Sequence, residues 1–106
     1  MEEQNKKIIK MLLKVENDDL KDAETLADYA EKMRQAGHPA MAQKLAARAK
    51  SRANHYMEDD KEIRDMMERM KGSGEDAPQS IQAHCLEMMM DNQKERYHHL
   101  LAKLEG

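Results

Sequence analysis

Met33-Arg34-Gln35-Ala36-Gly37-His38-Pro39-Ala40 is the stretch whose chemistry decides the fold. Glycine suits the left-handed position just past a helix end, and proline is tolerated in a first helical turn because its missing N–H had no partner there. The stretch therefore predicts one helix ending, a short turn, and a second helix beginning. Gly72-Ser73-Gly74-Glu75-Asp76-Ala77-Pro78 makes a second break, with Asp76 placed to cap a third helix and Pro78 in its first turn. Apart from Gly106, every Gly and Pro falls in these two breaks, which punctuate the chain and leave its elements uninterrupted.

Working outward, each interval carries a stripe of apolar residues at helical spacing. The first helix, about residues 4–36, aligns Ile9, Leu13, Leu20, Ala23, Ala27 and Ala30, widened by Leu12, Leu26 and Met33. Glu16 falls on the same stripe. Asn17-Asp18-Asp19 can cap a new helix and break this element near 17–19, although the stripe runs across it. The second helix, about 40–71, aligns Ala42, Leu45, Ala49, Ala53, Tyr56, Ile63, Met67 and Met70. The third, about 78–104, aligns Ala83, Leu86, Met90, Gln93, Tyr97, Leu100 and Leu104 at alternating four and three spacing. Three such stripes joined by short turns predict an all-α, up-down-up three-helix bundle forming a single domain over 1–106.

Composition bounds what the bundle can do. Phe and Trp are absent, Tyr occurs at 29, 56 and 97, and the 11 Met and many Ala supply much of the apolar surface, so the core is thin. Charged residues make up 37% of the chain with a net charge of only −3, which reads as solvated helix faces and argues against a nucleic-acid surface. A single Cys, Cys85, cannot close an internal disulfide, and no apolar run reaches the length of a membrane span. An acidic Met1-Glu2-Glu3 start without a secretory apolar region points to the cytoplasm.

The residues most able to carry chemistry lie on the third helix. His84, Glu87, Asp91, Glu95 and His98 follow one another at three- and four-residue steps, so they share one side of it. Imidazoles and carboxylates at that spacing can share a divalent cation, and Glu95 with His98 forms a Glu-x-x-His unit of the kind di-iron bundles use. With 12 Glu and five His among 106 residues, chance alone supplies about 0.6 such units, so one occurrence also fits a wet helix face.

Tyr29-Ala30-Glu31-Lys32-Met33-Arg34-Gln35-Ala36-Gly37, then Ala42, Leu45 and His55, resembles the first helical hairpin of rubrerythrin-type ferritin-like proteins over about residues 16–65. The resemblance implies a helical scaffold with carboxylates in the first helix, Glu-x-x-His in the second, and a di-metal centre that oxidises or stores iron. In this chain the second unit reads Arg52-Ala53-Asn54-His55, with a cation at the place of the ligand Glu. Under the resemblance Glu16 or Asp19 takes the first-helix ligand position and Glu95 with His98 a later one; joined with the third-helix row, the candidate metal ligands are Glu16, His55, His84, Glu95 and His98, for Fe, Zn or Mn. In length and outline the chain also resembles the lactose/cellobiose-type IIA components of sugar phosphotransferase systems, which are three-helix proteins with a His near the start of helix 3. That likeness implies a phosphocarrier with His84 as acceptor, where the local text is His84-Cys85-Leu86-Glu87.

Methionine is the compositional excess. Met66, Met67 and Met70 on the second helix and Met88, Met89 and Met90 on the third cover more than one face of each. Flexible, polarizable Met suits a surface that repacks against a partner. The leading expectation is thus a non-enzymatic protein-interaction module, with a homodimer as one form of it, binding through Met66, Met67, Met70, Met88 and Met89 and needing no cofactor, nucleic acid or membrane.

Overall fold

A computed structural model describes residues 2–72 and 81–105. Helix α1 spans Glu2–Gln35, α2 Pro39–Gly72 and α3 Ile81–Glu105, and they pack as an up-down-up bundle measuring 57 × 17 × 17 Å. A 34-residue helix extends about 51 Å, so α1 and α2 each run almost the whole rod. Helix α1 continues through Asn17-Asp18-Asp19 without interruption. Leu13, Glu16 and Leu20 are buried on either side of these residues, and continuous burial of the stripe outweighs the local capping tendency. The expected cap at Asp76 and Pro78 lies outside the described residues, as do the side chains of Met70, Ala83, His84 and Cys85.

The α1–α2 connection is as short as a helical hairpin allows. Gly37 adopts φ 87°, with its N–H donating to the Arg34 carbonyl (3.1 Å) and the His38 N–H to the Met33 carbonyl (2.8 Å). This pair of bonds is a Schellman C-cap. The His38 carbonyl then accepts the Ala42 N–H at 3.0 Å, so His38 itself occupies the N-cap of α2 with Pro39 directly behind it.

Two apolar clusters fill the interior. In the half nearest the turn, Leu20, Ala23, Ala27, Ala49, Ala53, Tyr56, Tyr97 and Leu100 pack together, with the Tyr56 and Tyr97 rings tilted at 38° and 5.4 Å apart. Ile9, Leu13, Ile63, Leu86 and Met90 form the second cluster in the other half, with Leu12 and Met67 against it. The predicted stripes are therefore the buried ones. Alanines on both sides of the α1–α2 seam let those helices approach closely, and α3 lies less intimately against the pair.

Nothing lies within 4 Å of a Cβ added at Gly37, so a side chain there would meet backbone strain alone. Gly37→Ala is expected to destabilise the protein by about 1 kcal/mol, lowering the melting temperature by several degrees with unchanged helicity; circular dichroism melts check this.

Candidate functional site

Between the two apolar clusters the bundle changes character. Glu16 on α1 is 0% exposed and Asp60 on α2 is 2% exposed, and Gln93 on α3 is buried as well. Each helix contributes one polar side chain to the interior at positions that continue its apolar stripe. Asp60 accepts a 2.9 Å hydrogen bond from Arg64 Nε, one turn along α2, and Arg64 reaches outward to within 3.8 Å of Asp91 on α3. Gln93 Nε2 donates to the Leu13 carbonyl at 3.3 Å. Among the described residues, both Glu16 carboxyl oxygens, Asp60 Oδ1, Tyr56 Oη and Gln93 Oε1 have no hydrogen-bonding partner.

Charge follows from this placement. Burial, reinforced by the negative charges of Asp60 and Asp59, pushes the Glu16 carboxyl up to about 8. Burial also raises the Tyr56 phenol, again with Asp60 and Glu16 contributing. Near neutral pH the layer thus holds a protonated Glu16 beside Asp60, which is paired with Arg64, an arrangement that avoids two uncompensated buried carboxylates.

Outside the layer, α3 is clamped to α1 by charge. Arg96 donates to both Glu24 oxygens, at 2.6 and 3.3 Å, and to Asn17 Oδ1 at 2.8 Å; Lys103 bonds Asp28 and lies 3.8 Å from Glu31. The bidentate Arg96–Glu24 fork fixes both position and orientation. Arg52 on α2 lies 3.9 Å from Asp19 on α1.

The residues singled out from the sequence fall in separate places. Glu16 is in the core. His55 lines an open groove of about 590 Å³ between α1 and α2, shared with Asp22, Thr25, Leu26, Arg48 and Arg52. Glu95 and His98 line a shallow depression on the outer side of α3 with Asp91, Lys94 and His99. Glu87, Asp91, Glu95 and His98 are all exposed. Among the described residues, no three of His, Cys, Asp or Glu gather as a metal-binding group. His84, as metal ligand or phosphate acceptor, lies outside the described side chains.

The methionines also divide. Met67 packs against the second cluster and Met66 is half-buried, whereas Met88 and Met89 are exposed. Met88 precedes buried Met90 by two residues, about 200° around the helix, and so faces away from the core. Met70 falls outside the described side chains.

Asp60 was not among the residues expected to matter, yet its position was readable. It follows buried Tyr56 by four and precedes Ile63 by three, the same logic that places Glu16 on its stripe. The Arg96 fork had no comparable signal, because its partners lie 72 and 79 residues away. The chain matches no family model, no curated protein and no solved structure. No described helix is long and apolar enough to cross a membrane.

The folded chain keeps a proton on Glu16 that the unfolded chain gives up above its ordinary value of 4.5. Stability from this group is therefore full below about pH 4.5 and is lost progressively as pH rises toward about 8, by an amount on the order of 4 kcal/mol. Chemical denaturation at pH 5 and pH 8 should show the fall. Glu16→Gln, which keeps the shape and removes the titration, should flatten it.

Proposed function

We propose that this chain is a non-enzymatic helical module that associates with protein through the apolar end of its bundle. One observation carries the reading. Ile8, Met11, Val15, Met88 and Met89, five of the seven large apolar side chains left exposed among the described residues, surround the same half of the rod, the half whose core is the Ile9–Leu13–Ile63–Leu86–Met90 cluster. Met11 is 68% exposed. Scattered apolar residues on a surface carry no message, but a concentration at one end does.

The opposite half supports the reading by contrast. Its surface is tied together by the Arg96–Glu24, Lys103–Asp28 and Arg52–Asp19 pairs, and its core is closed by small Ala and the tilted Tyr56–Tyr97 pair. Among the described residues the turn half leaves Tyr29 and Met41 exposed, against five large apolar side chains in the other half. A partner helix laid on the apolar end would bury side chains at i, i+3 and i+7, the spacing of Ile8, Met11 and Val15. Met88 and Met89 offer a second, adaptable strip on α3.

The test pairs Met11→Lys with Met89→Lys. Sedimentation velocity of the purified protein and affinity capture from extract of the source cells should both register association for the wild type. The double variant should lose it while melting within about a few degrees of the wild type, since both side chains are exposed. Unchanged sedimentation together with an unchanged set of captured proteins would dispose of the reading.

A further inference from the structure

The charges of the α1–α2 hairpin form blocks. Every charged residue between positions 4 and 15 is a lysine, whereas positions 16–31 hold seven carboxylates and one lysine. On α2 the order reverses: positions 39–57 carry Lys44, Arg48, Lys50 and Arg52 with no carboxylate, and positions 58–68 hold six carboxylates with Lys61 and Arg64. Because the helices run antiparallel, the lysine block of α1 lies beside the carboxylate block of α2 at the apolar end. The opposite pairing holds near the turn.

One face of the hairpin displays this pattern together with apolar residues. Near the turn, the groove lined by Asp22 of α1 and by Arg52 and His55 of α2 marks where the two helices meet at the surface. Steps of seven residues return to nearly the same side of a helix, so the same stripe continues toward the apolar end through Val15 and Ile8 on α1. On α2 it continues through Asp59 and Met66, and through Glu62. Met11 borders this strip on α1, with Lys7 and Lys14 beyond it; Glu58 and Asp65 lie beyond it on α2. Across the face, at the apolar end, the order is lysine, then a strip of Ile8, Met11, Val15 and Met66 that also carries Asp59, Glu62 and, seven residues further, the exposed Arg69, then the carboxylates Glu58 and Asp65. Ile8, Met11, Val15, Lys7, Lys14, Glu58, Glu62 and Asp65 are exposed, and Met66 is half-buried.

Resting on the reading that the apolar end associates with protein, we propose that the partner on this face is a second copy of the chain, its helices pointing the same way, related by a two-fold axis parallel to the rod. Such an axis sets each point of the face against the point mirrored across the strip at the same height. Lysines of each α1 then meet carboxylates of the other α2, and apolar strip meets apolar strip. Opposed copies fail on one count or the other. Overlaid at their apolar ends they set lysine against lysine and carboxylate against carboxylate; overlaid about the middle of the rod they match charges but lay each apolar strip on the polar Asp22–Arg52 groove. Only the same-direction pairing satisfies both requirements.

The experiment is a charge exchange on the full chain, followed by sedimentation equilibrium. Lys7→Glu with Lys14→Glu makes both margins acidic, and Glu58→Lys with Glu62→Lys makes both basic. Each double variant alone should dimerise at least about tenfold more weakly than the wild type, and their equimolar mixture should recover a heterodimer. Recovery also shows that each variant is folded. Direction is read from nitroxides at Gln35→Cys in a Cys85→Ser background. Same-direction copies keep the labels within about two bundle widths, where opposed copies overlaid at the apolar ends would separate them by roughly 70 Å. A wild type that stays monomeric at its highest soluble concentration overturns the proposal, as do variants that dimerise like the wild type, a mixture that does not recover, or labels at the long distance. If the wild type is monomeric yet Met11→Lys with Met89→Lys still abolishes capture of another protein, the second copy is wrong and the interaction reading stands; if capture is also unaffected, both fall.

Discussion

The bundle depends on the close approach of α1 and α2 along a seam of alanines. Ala23, Ala27 and Ala30 face Ala42, Ala49 and Ala53 across it, and with no Phe or Trp in the chain this narrow spacing lets small side chains exclude water. Helix α3 buries Leu86, Met90, Tyr97 and Leu100 in the two clusters and is held as well by directed contacts: the Arg96 fork, the Lys103 pair, the Tyr97–Tyr56 contact and the Gln93 bond to the α1 backbone. These contacts depend on alignment, so they set the register of α3 more than they add to its adhesion.

The buried polar layer belongs to the same economy of materials. Glu16 and Asp60 occupy stripe positions where an aliphatic residue would fill space at no electrostatic cost. Their placement divides the interior into a Tyr/Ala half and a Met/aliphatic half, and sliding any helix by one turn would set a carboxyl group against apolar side chains. Alignment is therefore protected by what misalignment would bury. Glu16 meets its own burial by holding a proton, and Asp60 meets it through Arg64.

Most of the architecture was legible in the sequence because it rests on local signals. The Gly37-His38-Pro39 turn, the three stripes and the inward position of Glu16 all follow from spacing within single helices. What spacing could not supply was the relation between helices. Whether an exposed-looking row such as Glu87, Asp91, Glu95 and His98 converges with His55 depends on rotations between helices that no periodicity encodes, and in the fold these residues occupy different surfaces. Methionine had the same ambiguity: Met67 and Met90 pack inward, Met88 and Met89 do not, and only the phase of each helix against its neighbours decides which. Charge blocks, by contrast, were present in the text but acquire meaning only once α1 and α2 are laid side by side.

The three-residue connection at Ala36-Gly37-His38 bears on the order in which the molecule assembles. Partners across the alanine seam nearest this turn are close in sequence, so the loop that must be closed to join them is small and its entropic cost low. Pairing can start at the turn and zip outward before α3 has left the ribosome, since synthesis delivers α1 and α2 ahead of it. The third helix then arrives at a platform already in place, with its alignment contacts waiting. During that interval the hairpin's inner surface is uncovered, and Glu16 and the Arg64-paired Asp60 interrupt what would otherwise be a continuous greasy track open to misplaced neighbours.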